Sequence, residues 1–174
     1  MAWLSTKTYG TDRGLSCAYR QWAARSHCAL LHGYSLGFTF TFAAEQLDER
    51  GWVIDFGRDG FGPIRDWLHA TFDHTLLVDA DDPEMAEFLR LRDRGLAEVR
   101  ILPGVSCERI AAWVGEQMQP GVRERTGGRC WIESVECFEH GANSAVWRNP
   151  EAVLRQVSAE ILNRALTGEA GVHA

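Results

Sequence analysis

No apolar run in the 174 residues approaches the roughly 18 that a membrane span needs. The first ten residues also lack the apolar core of a secretory signal. The chain is therefore expected in the cytoplasm, without a membrane partner. Lysine is nearly missing: of 18 basic residues, only Lys7 is lysine and the rest are arginine. Acids outnumber bases by 24 to 18, a net charge of −6. A nucleic-acid binder normally carries a basic face, so no nucleic-acid partner is expected. CxxC pairs are absent, and the cysteines (Cys17, Cys28, Cys107, Cys130 and Cys137) are odd in number. In a reducing compartment these are free thiols, most of them small buried hydrophobes. No repeat, low-complexity tract or Pro/Gly/Ser-rich linker divides the chain, so a single domain is expected.

What is present is patterned. Leu36, Phe38, Phe40 and Phe42 alternate with Ser35, Gly37, Thr39 and Thr41, a period-two strand over Tyr34 to Ala43. An earlier, less regular strand falls between Ser5 and Arg20, and a short apolar run covers Trp52 to Phe56. A first helix is expected over Gly60 to Thr71, with Pro63 in its first turn and Ile64, Trp67, Leu68 and Phe72 on one face. Asp82-Pro83-Glu84 opens a second helix that Gly95 ends. Val99 to Leu102 is a short strand or a connector. A third helix runs from Ser106, a cap, to Met118, with Pro120 just beyond it. Strands return at Cys130 to Glu139 and Ser144 to Trp147, joined by a His140–Asn143 turn. A last helix starts at Asn149-Pro150-Glu151, shows a Leu154, Val157, Ile161 and Leu162 or Ala165 stripe, and stops at Gly168. Paired strands with segregated helices make the fold class α+β.

Four segments carry candidate chemistry: Ser26–Tyr34, Gly51–Phe56, Phe72–Leu77, and Val135–Trp147 with Glu139. Taken alone each is weak. An adjacent Asp73-His74 pair is as readily a surface or capping feature, Glu139 an exposed strand residue, and Ser106 only a cap.

Together they resemble the 6-pyruvoyl- and 6-carboxy-tetrahydropterin synthase family. Cys28-Ala29-Leu30-Leu31-His32-Gly33-Tyr34 matches its Cys-x-x-x-His-Gly-His. Gly51–Phe56 matches Gly-x-(Val/Ile)-x-Asp-Phe, and Phe72–Leu77 matches Leu-Asp-His-x-x-Leu. Ser106-Cys107-Glu108 stands for Thr-Ser-Glu at a helix start, and Glu139 for the late glutamate. The blocks occur in the family's order over about Tyr9 to Arg148. The resemblance implies the tunnelling fold: a four-stranded antiparallel sheet from two hairpins, with helices on one face. It also implies edge-to-edge closure into an oligomeric β-barrel, a homohexamer built as a dimer of trimers, with sites between subunits. Residues 1–148 would form this domain, with a helical insertion at about 79–102, and residues 149–174 a C-terminal helical extension.

The resemblance assigns Cys28, Asp73 and His74 as the catalytic set. A thiolate can act as base beside a histidine that an aspartate orients. Glu139 would anchor the pterin, because a carboxylate accepts two N–H bonds from a 2-amino-pyrimidinone edge. Ser106, Cys107, Glu108, Tyr19 and Tyr34 would also touch substrate. The family holds zinc through three histidines, an open site of the kind catalytic zinc requires. Here Tyr19 and Tyr34 occupy two of those positions and only His32 remains as a metal ligand. Zinc is therefore expected to be absent or weakly held, with His27 as a possible substitute ligand and tyrosinate–iron as another open alternative. Arg20 and Arg25 are candidates to meet a triphosphate.

The function so implied is a tetrahydropterin synthase-like lyase. It would act on 7,8-dihydroneopterin triphosphate or a related dihydropterin, in queuosine-type deazaguanine biosynthesis. The alternative is a non-enzymatic pterin- or purine-binding or assembly homologue that has lost the zinc chemistry.

Overall fold

The alternation around Phe40 places three phenylalanines on one side of a strand, and that side becomes the core. In the computed structural model, which describes residues 2–167, Phe38, Phe40 and Phe42 are fully buried on β4 (Gly37–Ala44). Their rings run in a row: Phe40 stacks on Phe42 at 5.9 Å, and Phe38 lies 5.3 Å from Phe72. On the edge of β4 lies β1 (Trp3–Tyr9). The other side pairs with β7 (Cys130–His140), which pairs with β8 (Asn143–Arg148). All three pairings are antiparallel, giving the order β1-β4-β7-β8. This is the expected antiparallel sheet, and the structure is α+β. β7 and β8 form a tight hairpin, whereas β1 and β4 close around an excursion through residues 10–36.

That excursion contains what the sequence does not display. The irregular stretch expected between Ser5 and Arg20 is two strands in two sheets: β1 in the first, and β2 (Ser16–Tyr19) in the second. Likewise β3 (His32–Ser35) breaks from β4 at Leu36, whose amide bonds the Leu15 carbonyl at 3.0 Å. The second sheet has the order β3-β2-β5-β6, with β5 (Thr75–Asp79) and β6 (Glu98–Leu102). β2 pairs antiparallel with β3, and β5 runs parallel to both β2 and β6. Four consecutive residues of β5 are buried, as a central strand flanked by parallel partners requires.

α1 (Gly62–Phe72) has Pro63 in its first turn and buries Ile64, Leu68 and Phe72. α2 (Met85–Asp93) sets Phe88 on Leu76, Val78 and Val99, and Gly95 follows at φ 69°. α3 (Cys107–Arg125) starts at the expected Ser106 cap, whose hydroxyl accepts from the Arg109 amide at 3.3 Å. It does not stop before Pro120 but continues a further turn. Pro120 and Glu116, whose carbonyl loses its helical partner, both lie on the exposed face of α3, where the lost bond costs least. α3 lies close on β8 because Gly115 has no side chain where the Trp147 ring packs. α4 (Pro150–Thr167) starts at buried Asn149, whose side chain bonds the Ile132 carbonyl and the Glu151 amide. Ala152 is buried, but Leu154, Val157, Ile161 and Leu162 remain exposed. The expected stop at Gly168 and the side chain of Ala165 lie outside the described residues. No helix among the described residues is long and apolar enough to cross a membrane.

Candidate functional site

Two registers gather the aromatic centre of the site. Tyr19 on β2 sits opposite His32 on β3, and Cys17 sits opposite Tyr34. Residues two apart on a strand share a face, so all four side chains point the same way. The Tyr19 ring lies 5.2 Å from His32 and 6.1 Å from Tyr34, and His32 lies 5.4 Å from Tyr34. His32 Nδ1 lies 2.7 Å from the Leu30 carbonyl, which can only accept. Nδ1 therefore carries the proton, and Nε2 is the free face of the ring.

Glu139 closes this cluster from β7. In the hairpin register Phe138 faces Ser144 and His140 faces Asn143, so Glu139 has no partner on β8 and occupies a β-bulge. A bulge re-aims a side chain. Here the Glu139 carboxylate meets Tyr19, whose hydroxyl donates to Oε1. Oε2 has no hydrogen-bond partner among the described residues. The next residue, His140, brings its ring to 5.7 Å from Tyr34. Expected as a turn residue, it ends the strand and joins the aromatic group. No glycine or proline marks the bulge, so nothing in the sequence announces it.

Beside Glu139 opens a cavity of about 350 Å³ that Ser106, Cys107 and Glu108 line from the start of α3, with Gln21 and Asn143. Three of the expected substrate residues thus share one concavity with the expected anchor. Gln21 and Asn143 carry no sequence signal for this role.

The ionisation states follow from burial. Burial, then the bond to Glu139, raises the Tyr19 phenol far above its ordinary value, so it stays protonated. Burial, with Glu139 nearby, pushes the Cys17 thiol up to about 12. Cys137 lies well above the usual thiol range through burial and its hydrogen bond with Cys107. Both are neutral thiols under the site, not nucleophiles.

The ligand set does not fit the zinc that the resemblance implies. It offers one imidazole and two phenols, and one of those phenols is held as a neutral donor to a carboxylate. Among the described residues no group of three His, Cys, Asp or Glu side chains could hold a metal ion. His27 is exposed in the short helical turn at His27–Ala29 and joins no such group.

A second cluster lies at the C-terminal end of α1. Asp73 Oδ1 accepts from His74 Nδ1 at 2.7 Å, leaving His74 Nε2 outermost on a side chain that is 87% exposed. His74 has φ 56°, a left-handed conformation uncommon for any residue but glycine. Its amide bonds the Ser16 carbonyl at 2.7 Å, which holds that conformation. Behind the pair, His69 Nδ1 lies 3.9 Å from Asp73 Oδ2, and the Tyr9 hydroxyl lies 2.5 Å from His69 Nε2. Neither Tyr9 nor His69 stands out in the sequence, because β1 and α1 meet only in the fold.

Cys28 is half-buried in the turn after Ser26, whose hydroxyl accepts from its amide at 3.3 Å. The Cys28 carbonyl accepts from the Gln21 amide just past the end of β2, whereas the His74 amide bonds the Ser16 carbonyl at its start, five residues or roughly 16 Å away along the strand, so one chain holds the expected catalytic set in two separate places. Arg20 is no free anion ligand. Its guanidinium makes a two-pronged pair with Asp82, at 2.9 and 2.6 Å, and Asp82 is 1% exposed. The Trp52–Phe56 run forms a loop held by Arg129, which donates to the Trp52 and Val53 carbonyls.

The chain is similar to known proteins. A family model described as 6-pyruvoyl tetrahydropterin synthase matches residues 10–150. A 6-carboxy-5,6,7,8-tetrahydropterin synthase of Rickettsia bellii is 34% identical over 119 residues, covering 66% of this chain and 80% of that protein. One from Rickettsia typhi is 36% identical over 63 residues, 36% of this chain and 45% of that protein. The match thus spans about half the length of that relative. Among solved structures, an uncharacterized protein from Wolinella succinogenes superposes with a TM-score of 0.71 at 19% identity, covering 86% of this chain and 99% of that one. A 6-pyruvoyl tetrahydropterin synthase from Plasmodium falciparum gives 0.56 at 15% identity, covering 85% and 98%. At these identities the structures establish the shared fold.

Proposed function

Because the chain belongs to the 6-pyruvoyl tetrahydropterin synthase family, we propose that it is a 6-carboxy- or 6-pyruvoyl-tetrahydropterin synthase-like lyase. Its substrate is 7,8-dihydroneopterin triphosphate or a related dihydropterin, in deazaguanine biosynthesis of the queuosine type. The Rickettsia relatives' names favour the carboxy branch. The observation that carries the reading is Glu139: a bulge turns its carboxylate toward a cavity, with one oxygen held by Tyr19 and the other available. Such a group can accept N–H bonds from the 2-amino-pyrimidinone edge of a pterin.

The reacting side chain of the substrate is handled by Cys28, Asp73 and His74. The Asp73 bond fixes the proton on His74 Nδ1, so Nε2 takes up or returns a proton at the substrate. The Cys28 sulfur, as thiolate, serves a second carbon or hydroxyl. Tyr34 and His32 present hydrogen-bonding groups where the family places its metal, with the His140 ring beside Tyr34, and no step is routed through zinc. Charge developing on the substrate oxygens meets the Tyr34 hydroxyl, a weaker partner than a dication, and turnover is correspondingly slow.

Completion of the site calls for a second copy of the chain. Cys28 and the Asp73–His74 pair lie apart, and β1 and β8 are the open edges of the first sheet. Edge pairing would remove both free edges and bring one subunit's pair to another's cysteine. A homohexamer, a dimer of trimers, is the proposed assembly.

The test is turnover of 7,8-dihydroneopterin triphosphate with and without zinc, with products identified by mass, in wild type and Cys28→Ala. A carboxy- or pyruvoyl-tetrahydropterin product without metal, lost in Cys28→Ala while pterin binding survives, supports the reading. Tight pterin binding with no product under any condition would move the assignment to a binding module.

A further inference from the structure

The chain's single lysine lies where three arginines converge. On the helical side of β1, a cavity of about 450 Å³ has Lys7, Arg13, Arg58 and Arg65 in its wall, with Tyr9 and Phe61, and no acidic residue among its lining. In a chain of net charge −6 this is a local reversal of sign. The Lys7 ammonium rests 5.5 Å from the Phe56 ring centre and 5.9 Å from that of Phe61, against aromatic faces rather than a carboxylate. Arg13 and Arg65 have only exposed neighbours, Asp12 at 3.6 Å and Asp66 at 2.7 Å, pairs of small energetic weight. Lys7 and Arg58 have no acidic partner among the described residues. Like charges held together at a concave wall repel unless an anion joins them.

The cavity adjoins the proposed reaction centre. Tyr9 in its wall bonds His69, which lies beside Asp73. Arg65 lies in the first turn of α1 and Asp73 directly follows its last residue, eight residues or roughly 12 Å away along the axis. Arg20, by contrast, is fully committed to Asp82.

We propose that this cavity is an oligophosphate subsite and that it seats the triphosphate tail of the pterin substrate. The proposal rests on the function proposed above. Guanidinium forks bind phosphate oxygens in pairs, and four cations spread over one cavity suit a chain of phosphates better than a single carboxylate.

Binding rather than turnover tests it, using the fluorescent oxidised forms neopterin and neopterin triphosphate, with inorganic tripolyphosphate as the bare anion. In wild type, neopterin triphosphate should bind at least 10-fold tighter than neopterin, and tripolyphosphate should compete with it. In Lys7→Ala/Arg58→Ala that advantage should vanish while neopterin affinity stays the same. Arg58→Gln alone, at an exposed residue, should lose a large part of the advantage. It serves if removal of the Lys7 stem from Phe56 and Phe61 disturbs folding. An undiminished triphosphate advantage in the variants would overturn the proposal. So would tripolyphosphate binding that depends on Arg58 yet leaves neopterin triphosphate undisplaced, which would make the cavity a site for a free oligophosphate. Failure of neopterin itself to bind in wild type, with tripolyphosphate still bound through Arg58, would sink the pterin reading and the tail assignment together.

Discussion

The Tyr19 hydroxyl donates to Oε1 of Glu139, joining two residues 120 positions apart in sequence at the edge of the cavity. The phenol is buried and protonated, so it is a fixed donor that orients the carboxylate. Tyr19→Phe should weaken neopterin binding about 3- to 10-fold, the worth of one hydrogen bond of roughly 0.5–1.5 kcal/mol. Glu139→Ala, which removes two charge-assisted bonds, should weaken it by about 100-fold or more. Fluorescence titration measures both. Tighter binding by Tyr19→Phe would mean that Tyr19 sequesters Glu139 instead of presenting it.

Separation of Cys28 from Asp73–His74 within one chain predicts complementation. Cys28→Ala and His74→Ala homo-oligomers should each lose about 10²- to 10⁴-fold in turnover, the range of a positioned acid or base. Mixed after partial unfolding and reassembly, they should recover a fraction of wild-type activity, because some interfaces regain both groups. A mixture no more active than its parents would place the whole site within a single subunit.

Thiol labelling should divide the five cysteines. Burial pushes Cys17 to about 12 and Cys130 to about 11, and it raises Cys137 well above the usual thiol range. At pH 8 these three should resist an aromatic disulfide reagent until denaturant is added, while half-buried Cys28 reacts first. The raised values also carry a sign. The buried neutral thiols contribute stability that is fully present below the unfolded thiol value of about 8.5 and is lost as pH rises through about 11–12. Urea midpoints should therefore fall above pH 9.

Acid should act through Asp82. The Arg20 bond holds its carboxyl below the ordinary range, so its contribution is present above about pH 4 and is lost as pH falls through the lowered value. Asp82→Asn should cost about 3 kcal/mol at pH 7, because it strands a largely buried guanidinium. It should also flatten the fall in stability below pH 4. Chemical unfolding of both proteins at pH 3 and pH 7 measures the difference.

What the sequence discloses follows from local physics. The Phe38–Phe42 alternation, the Ser106 cap and the Pro63 helix start are each decided by neighbours in the chain, and each stands in the structure as expected. β5 escaped because a strand buried on both faces shows no alternation. Pro120 misled because it and Glu116 lie on the exposed face of α3, where an orphaned carbonyl costs least. The site was legible only by resemblance: Tyr19, His32, Tyr34 and Glu139 hold matched places in ordered motifs. His140, Gln21, Tyr9 and His69 owe their places to a bulge, a cavity wall and a strand–helix contact. No short-range pattern encodes those.

The parallel alignment of β2 with β5 has a kinetic consequence. Cys17 meets Thr75 only after residues 20–74 have been placed, including β4 with its phenylalanine row and α1. Loop closure of that length is slow compared with forming the β7–β8 hairpin. On refolding, the Trp67–Trp113 pair, half-buried against the hydrophobic core, should report collapse early. The left-handed backbone at His74 is clamped by Ser16 at the edge of this late pairing, so the imidazole reaches its final position among the last groups to settle.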